Sequence, residues 1–148
     1  MPDNTELCER VLCAWTEISG FLKNSRMTQG ITYNEAVTMM LVYEQYKKDG
    51  VGLTPMQTIL KRTRMLKSLA NRTVNALCAQ GYLIKAQSGT DARMLYVRPV
   101  PERLPDFLAV HERSLQYAGA VIDVIGEEDA QRFVHICEKL LAAEPRLS

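Results

Sequence analysis

Apolar residues recur at helical spacing along most of the chain, and the pattern breaks at a few defined places. From Glu6 to Leu22, Leu7, Val11, Trp15, Ile18 and Leu22 return at steps of three and four, which predicts an amphipathic helix closed by Lys23-Asn24-Ser25-Arg26. After a short break, Thr32-Tyr33-Asn34-Glu35 has the Thr-x-x-Glu form of a capping box. It opens a second helix with Ala36, Val37, Met40, Leu41 and Tyr43 as its apolar face. Two lysines and then Gly50 close that helix. Val51-Gly52-Leu53 is predicted to be a short strand. Thr54-Pro55-Met56-Gln57 reads as a helix start with a Thr cap, proline at the first helical position and glutamine at the third. This third helix turns Ile59 and Leu60 inward and stops near Thr63-Arg64-Met65.

Leu66 to Leu77 forms the next helix, and its two faces differ sharply. At about 100° per residue, Leu66, Ala70, Thr73, Val74 and Leu77 share one stripe, which wants a core. Ser68, Asn71, Arg72 and Asn75 share the opposite stripe. That face has no acid, and its amides, hydroxyl and guanidinium are the groups that read base edges and phosphates. Gly81 ends the helix. Tyr82–Ala86 and Met94–Arg98 are predicted strands, joined through the polar turn from Gln87 to Arg93. Two short helices at a tight joint, followed directly by a β-hairpin, read as a winged helix-turn-helix. Pro99 and Pro101 then end the strand. A long helix follows from about Glu102 or Pro105 to Ile125, with Phe107, Val110, Leu115, Ala118, Ile122 and Ile125 along one side. Gly126 breaks it, and Glu127-Glu128-Asp129 opens a last helix with Phe133, Ile136, Cys137, Leu140 and Leu141 on its apolar face. The fold class is therefore mainly α, a winged helix-turn-helix with a short hairpin wing and helical extensions at both ends.

Charge sharpens this reading. The net charge of the 148 residues is only +1. Between Lys61 and Arg103, however, nine basic residues stand against two acids, a net of +7 that leaves −6 for the rest of the chain. A basic middle between acidic ends is the asymmetry of a module that faces a polyanion. Arg62, Arg64, Lys67 and Lys85 are candidate DNA contacts, with Lys67 and both arginines assigned to phosphates, alongside the base-reading candidates Ser68, Asn71, Arg72 and Asn75. No apolar run is long enough to span a bilayer, and the acidic N-terminus has no basic segment of a signal peptide, so the expectation is a cytoplasmic protein without a membrane partner. The sequence contains no glycine-rich phosphate loop, no paired nucleophile and base, and no metal-ligand spacing. It is read as a non-enzyme without cofactor or metal.

The element order and these residues resemble the multiple-antibiotic-resistance regulator (MarR) family of bacterial transcription factors. The resemblance runs over nearly the whole chain and is strongest from Ile31 to Val97. Asp91-Ala92-Arg93 matches the family's Asp-x-Arg wing motif, behind a Leu-x-x-x-Gly helix end at Leu77 to Gly81. The wing tip, Gln87-Ser88-Gly89-Thr90, is neutral where family wings are often rich in arginine, so wing charge rests on Arg93. The resemblance implies one MarR-type domain over 1–148, with 30–100 as the DNA-binding lobe and 1–29 and 101–148 as helical dimerisation regions. It also implies a homodimer on a palindromic site in double-stranded DNA, two recognition helices in successive major grooves, and a repressor released by an effector. Arg93 either reaches DNA or holds the wing by pairing with Asp91.

Two further groups of residues remain open. Trp15, Met40, Tyr43 and Tyr46 are candidates for a small-molecule effector pocket, although such aromatics are more often simply core. Cys8, Cys13, Cys78 and Cys137 are expected to be thiols. They allow an alternative in which the regulator senses oxidants, against the plainer reading of cysteine as a small buried hydrophobe. A second alternative is a winged helix that binds protein without DNA. The acid-free helix face argues against it, because interaction surfaces favour aromatics and methionine.

Overall fold

The computed structural model describes residues 4–24, 30–87 and 94–147. The described elements are α1 (Thr5–Asn24), α2 (Tyr33–Asp49), β1 (Thr54–Pro55), α3 (Met56–Thr63), α4 (Lys67–Ala79), β2 (Leu83–Ala86), β3 (Tyr96–Pro99), a 3₁₀ turn at Pro101–Arg103, α5 (Leu104–Ile125), α6 (Glu127–Ala142) and α7 (Glu144–Leu147). They fall into two compact units, one up to His111 and one from Glu112, with the boundary inside α5.

In the first unit an antiparallel sheet of order β1-β3-β2 packs with the helices. Lys85 pairs with Val97 across β2 and β3, and Thr54 pairs with Val97 from the other side. The core gathers Met39 and Val42 of α2, Ile59 of α3, Ala70, Val74 and Leu77 of α4, Leu83 and Val97 of the sheet, and Phe107 and Val110 at the start of α5. By packing, then, the first turns of α5 go with the lobe.

Four local expectations are corrected by this packing. The short strand is Thr54–Pro55 rather than Val51–Leu53. Thr54 therefore does not cap α3: it sits opposite Val97, its hydroxyl donates to the Gly52 carbonyl at 3.0 Å, and Pro55 precedes the helix without a side-chain cap. The buried face of α2 is Glu35, Ala36, Thr38, Met39 and Val42, and Met40 is exposed. Finally, Leu66 lies outside the core at 77% exposure, because it stands before the first turn of α4 in extended backbone.

Other local signals hold. Thr32 caps α2 by accepting from the Glu35 amide at 3.1 Å. The link from α2 to β1 is built around the Asp49 carboxylate, which accepts from the amides of Val51 and Gly52 at 2.9 and 2.8 Å and from the Gln45 side chain at 2.9 Å. The Gln45 bond, followed by the two amides, holds the Asp49 carboxyl below its ordinary range.

The end of α4 is a Schellman closure. The Gly81 amide donates to Cys78 and the Tyr82 amide to Leu77, at 3.0 and 2.9 Å. Gly81 stands at φ +81°, in the left-handed region where a Cβ is disfavoured. Gly81→Ala is expected to destabilise the protein by about 1–2 kcal/mol, the cost of a left-handed L-residue. Urea denaturation checks this, and an unchanged midpoint would show that the closure tolerates a side chain.

In the second unit, the later part of α5 and α6 leave large apolar residues in the open, including Leu115, Ile122 and Val124 on α5 and Phe133, Ile136, Leu140 and Leu141 on α6. The stripe of α1 is likewise exposed at Leu7, Val11, Trp15 and Ile18.

Candidate nucleic-acid interface

The sequence of α4 sorts its residues between core and surface. Ala70, Thr73, Val74 and Leu77 are buried, and the Thr73 hydroxyl is satisfied by the Leu69 carbonyl at 2.8 Å. Lys67, Ser68, Asn71, Arg72 and Asn75 are all exposed. This presents two amides, a hydroxyl and two cations on one helix without a carboxylate among them. Its first turn has no side-chain cap and no acid, so the leading amides and the helix dipole add positive potential at that end.

The joint between α3 and α4 is tight because Arg64 adopts φ +58°, ψ +20° and its amide closes on the Leu60 carbonyl at 3.0 Å. Among the described residues it is the non-glycine at positive φ. Its side chain is exposed, and its guanidinium donates to the Arg62 carbonyl at 3.2 Å. Arg62, a candidate phosphate contact, pairs in the single chain with Glu44 of α2 at 2.8 Å. That hydrogen bond holds the Glu44 carboxyl below its ordinary range. Both side chains are about half exposed, so the pair can open toward a phosphate at little cost.

Two grooves flank the joint. One, of about 350 Å³, is lined by Gln57 of α3, Lys67 and Asn71 of α4, and Met94 and Leu95 ahead of β3. The other, of about 670 Å³, is lined by Lys23, Thr32 and Asn34 together with Arg64, Leu66 and Leu69. Gln57 and the Thr32–Asn34 corner are polar groups that the sequence reading missed as surface candidates. Their polar side chains read as helix caps, and only the packing of α3 and α2 against α4 brings them beside Lys67 and Arg64.

Lys85 is exposed on β2 beside Cys78, near the far end of α4. Asp91 and Arg93 lie outside the described residues. Of the residues considered for an effector pocket, Tyr43 and Tyr46 stack at 6.5 Å and Tyr43 meets Phe107 edge-on at 5.7 Å. Met40 and Trp15 are exposed and do not belong to the buried core.

The cysteines divide by environment. Cys8 and Cys13 are exposed on α1, while Cys78 and Cys137 are half-buried. Burial pushes the Cys78 thiol up, with only partial relief from Lys85, so it carries little reactive thiolate. On the plainer reading of the thiols as structural groups, mild peroxide is expected to leave the proposed DNA binding unchanged. Reversible loss of binding, abolished by one Cys→Ser substitution, would establish the oxidant-sensing alternative.

No family model and no curated protein matches the sequence. Solved structures do match the fold. The PcaV transcriptional regulator from Streptomyces coelicolor, in complex with its natural ligand, aligns at TM-score 0.70 and 15% identity, covering 90% of this chain and 91% of its own. The transcriptional regulator BldR from Sulfolobus solfataricus aligns at TM-score 0.74 and 14% identity, over 96% and 98%. The MarR protein from Peptoclostridium difficile aligns at TM-score 0.67 and 13% identity, over 96% and 88%. The fold is that of the MarR-type winged-helix regulators. The alignment with BldR covers nearly all of both chains. In MarR-type terms α3 and α4 are the helix-turn-helix, and β2 and β3 are the strands of the wing.

Proposed function

We propose that the chain is a homodimeric, sequence-specific regulator of transcription that binds a palindromic operator in cytoplasmic DNA and represses by occupying it. The observation that carries this reading is the exposed, acid-free face of α4, where Asn71 and Asn75 lie one turn apart with Arg72 beside them and Lys67 at the helix start. Amides pair bidentately with adenine, an arginine takes guanine or phosphate, and a lysine at the helix start meets phosphate. The exposed apolar stripes of α1, α5 and α6 support assembly into a dimer, because single chains rarely leave so much apolar surface open. Release by a small molecule is supported by likeness to PcaV, which was solved with its natural ligand.

Binding titrations on a selected operator and on a scrambled duplex, at several salt concentrations, test the reading. Asn71→Ala or Asn75→Ala is expected to cost about 1–3 kcal/mol on the operator and much less on the scrambled duplex. Lys67→Ala is expected to weaken both alike and to flatten the salt dependence. Equal losses on both duplexes for the asparagine variants would mean that α4 positions the protein without reading bases.

A further inference from the structure

The closure at the end of α4 is also where the helix is tied to α5, and Arg103 makes the tie. Its guanidinium donates to the Gln80 carbonyl at 3.1 Å, at the end of α4. It pairs with Asp106 in the first turn of α5. It also lies over the Tyr82 ring, 4.2 Å from the centroid. The backbone joins in: the Arg103 amide donates to Val100, and the Val100 amide to Tyr82, at 3.0 and 2.9 Å. From the opposite side the Gln80 side chain donates to Glu35 of α2 at 3.0 Å and to the Ala76 carbonyl at 3.1 Å. One planar cation therefore spans a helix-end carbonyl, a carboxylate on the next helix and a ring at the head of the wing. Only arginine has a fork that does all three.

We infer that Arg103 is a positioning residue that sets the pose of the recognition helix against α5, and so fixes the half-site spacing the protein accepts, without touching DNA itself. This rests on the proposed dimeric DNA-binding function. Helix α5 runs from this tie to Ile125, into the second unit whose exposed apolar face supports assembly. A dimer reads spacing through the rigidity of the path from each recognition helix to the dimer contact. On that path Arg103 grips both α4 and α5 with polar bonds, beside the apolar packing of Phe107 and Val110 in the shared core. Its loss loosens the pose while leaving the base-reading face of α4 intact.

The experiment compares wild-type protein, Arg103→Ala, Arg103→Lys and Asp106→Asn. The DNA targets are a selected operator, the same half-sites with one base pair added or removed between them, and a single half-site. For the wild type, altered spacing is expected to cost about tenfold or more in affinity, within the usual range of coupling between sites. For Arg103→Ala the penalty is expected to fall to about threefold, with single half-site affinity unchanged. Arg103→Lys keeps the charge but not the fork and should not restore the full penalty. Asp106→Asn, which spares the core, should relax spacing in the same direction and serves if Arg103→Ala does not fold. A penalty equal to wild type in the folded variants, whether or not affinity falls uniformly, overturns the assignment. A uniform fall on all three kinds of DNA would mark a merely structural role. Absence of any spacing penalty in the wild type would instead overturn the dimeric reading on which it rests.

Discussion

Gly52→Ala is expected to remove a large part of the stability of the winged-helix lobe. Gly52 stands at φ +77°, and a Cβ built there would lie 2.7 Å from Pro99 Cδ and 3.0 Å from Tyr46 Cβ. Neither neighbour is the end of a flexible chain. Pro99 is a ring fixed at the end of β3 opposite Leu83, and the Tyr46 atom is rooted on α2. The substitution thus adds left-handed strain to a steric clash, together about 3 kcal/mol or more. That is a large part of the stability of a domain this size. Thermal denaturation followed by circular dichroism measures it, and a melting temperature within a few degrees of wild type would show that β1 and β3 separate more easily than their packing implies.

The second large effect concerns assembly. Phe133 and Ile136 on α6 are each 55% exposed and belong to no buried core among the described residues. If the chain is the proposed dimer, replacing both by glutamate is expected to halve the mass seen by light scattering while leaving the melting of the lobe unchanged. Operator affinity should fall by about a hundredfold or more, because the second half-site is no longer delivered by the first. A double variant that keeps the wild-type mass would place the subunit contact elsewhere than α6.

The legible parts of the fold were those in which one local signal coincided with the tertiary outcome. Thr32 caps α2 as its spacing suggests, and Gly81 closes α4 where the hydrophobic stripe ends. The face of α4 was readable because core and surface positions differ there in kind as well as in polarity. Where two roles competed, the sequence misled. Thr54 and Pro55 carry a good helix-start signal, but a ladder with β3 claims them, so the cap is lost and α3 begins at Met56.

Polar residues inside the core were invisible for a related reason. Thr38 is buried with its hydroxyl returned to the Asn34 carbonyl, and Glu35 is buried with its carboxylate on Gln80. Periodicity counts both as solvent-facing. The terminal stripes gave the opposite case: the pattern announced surfaces that want burial, and they stand open in the single chain. A partner cannot be read from one stripe, since the stripe records only the demand. The candidate interface was legible on α4 and obscured on α3, where Gln57 read as a cap and the Glu44 partner of Arg62 was too distant in sequence to be noticed.

The two-residue strand β1 has a consequence for solubility. It forms one outer edge of the sheet, and its second residue is proline, which has no amide hydrogen to offer an incoming chain. The other edge, β2, carries the exposed Lys85, whose charge would be stranded beneath a docked strand. Both borders thus discourage chain-to-chain growth by backbone pairing, the route by which small sheets polymerise into fibrils. On the proposed reading as a dimeric regulator, copies would then meet through their helices, where the exposed apolar stripes lie.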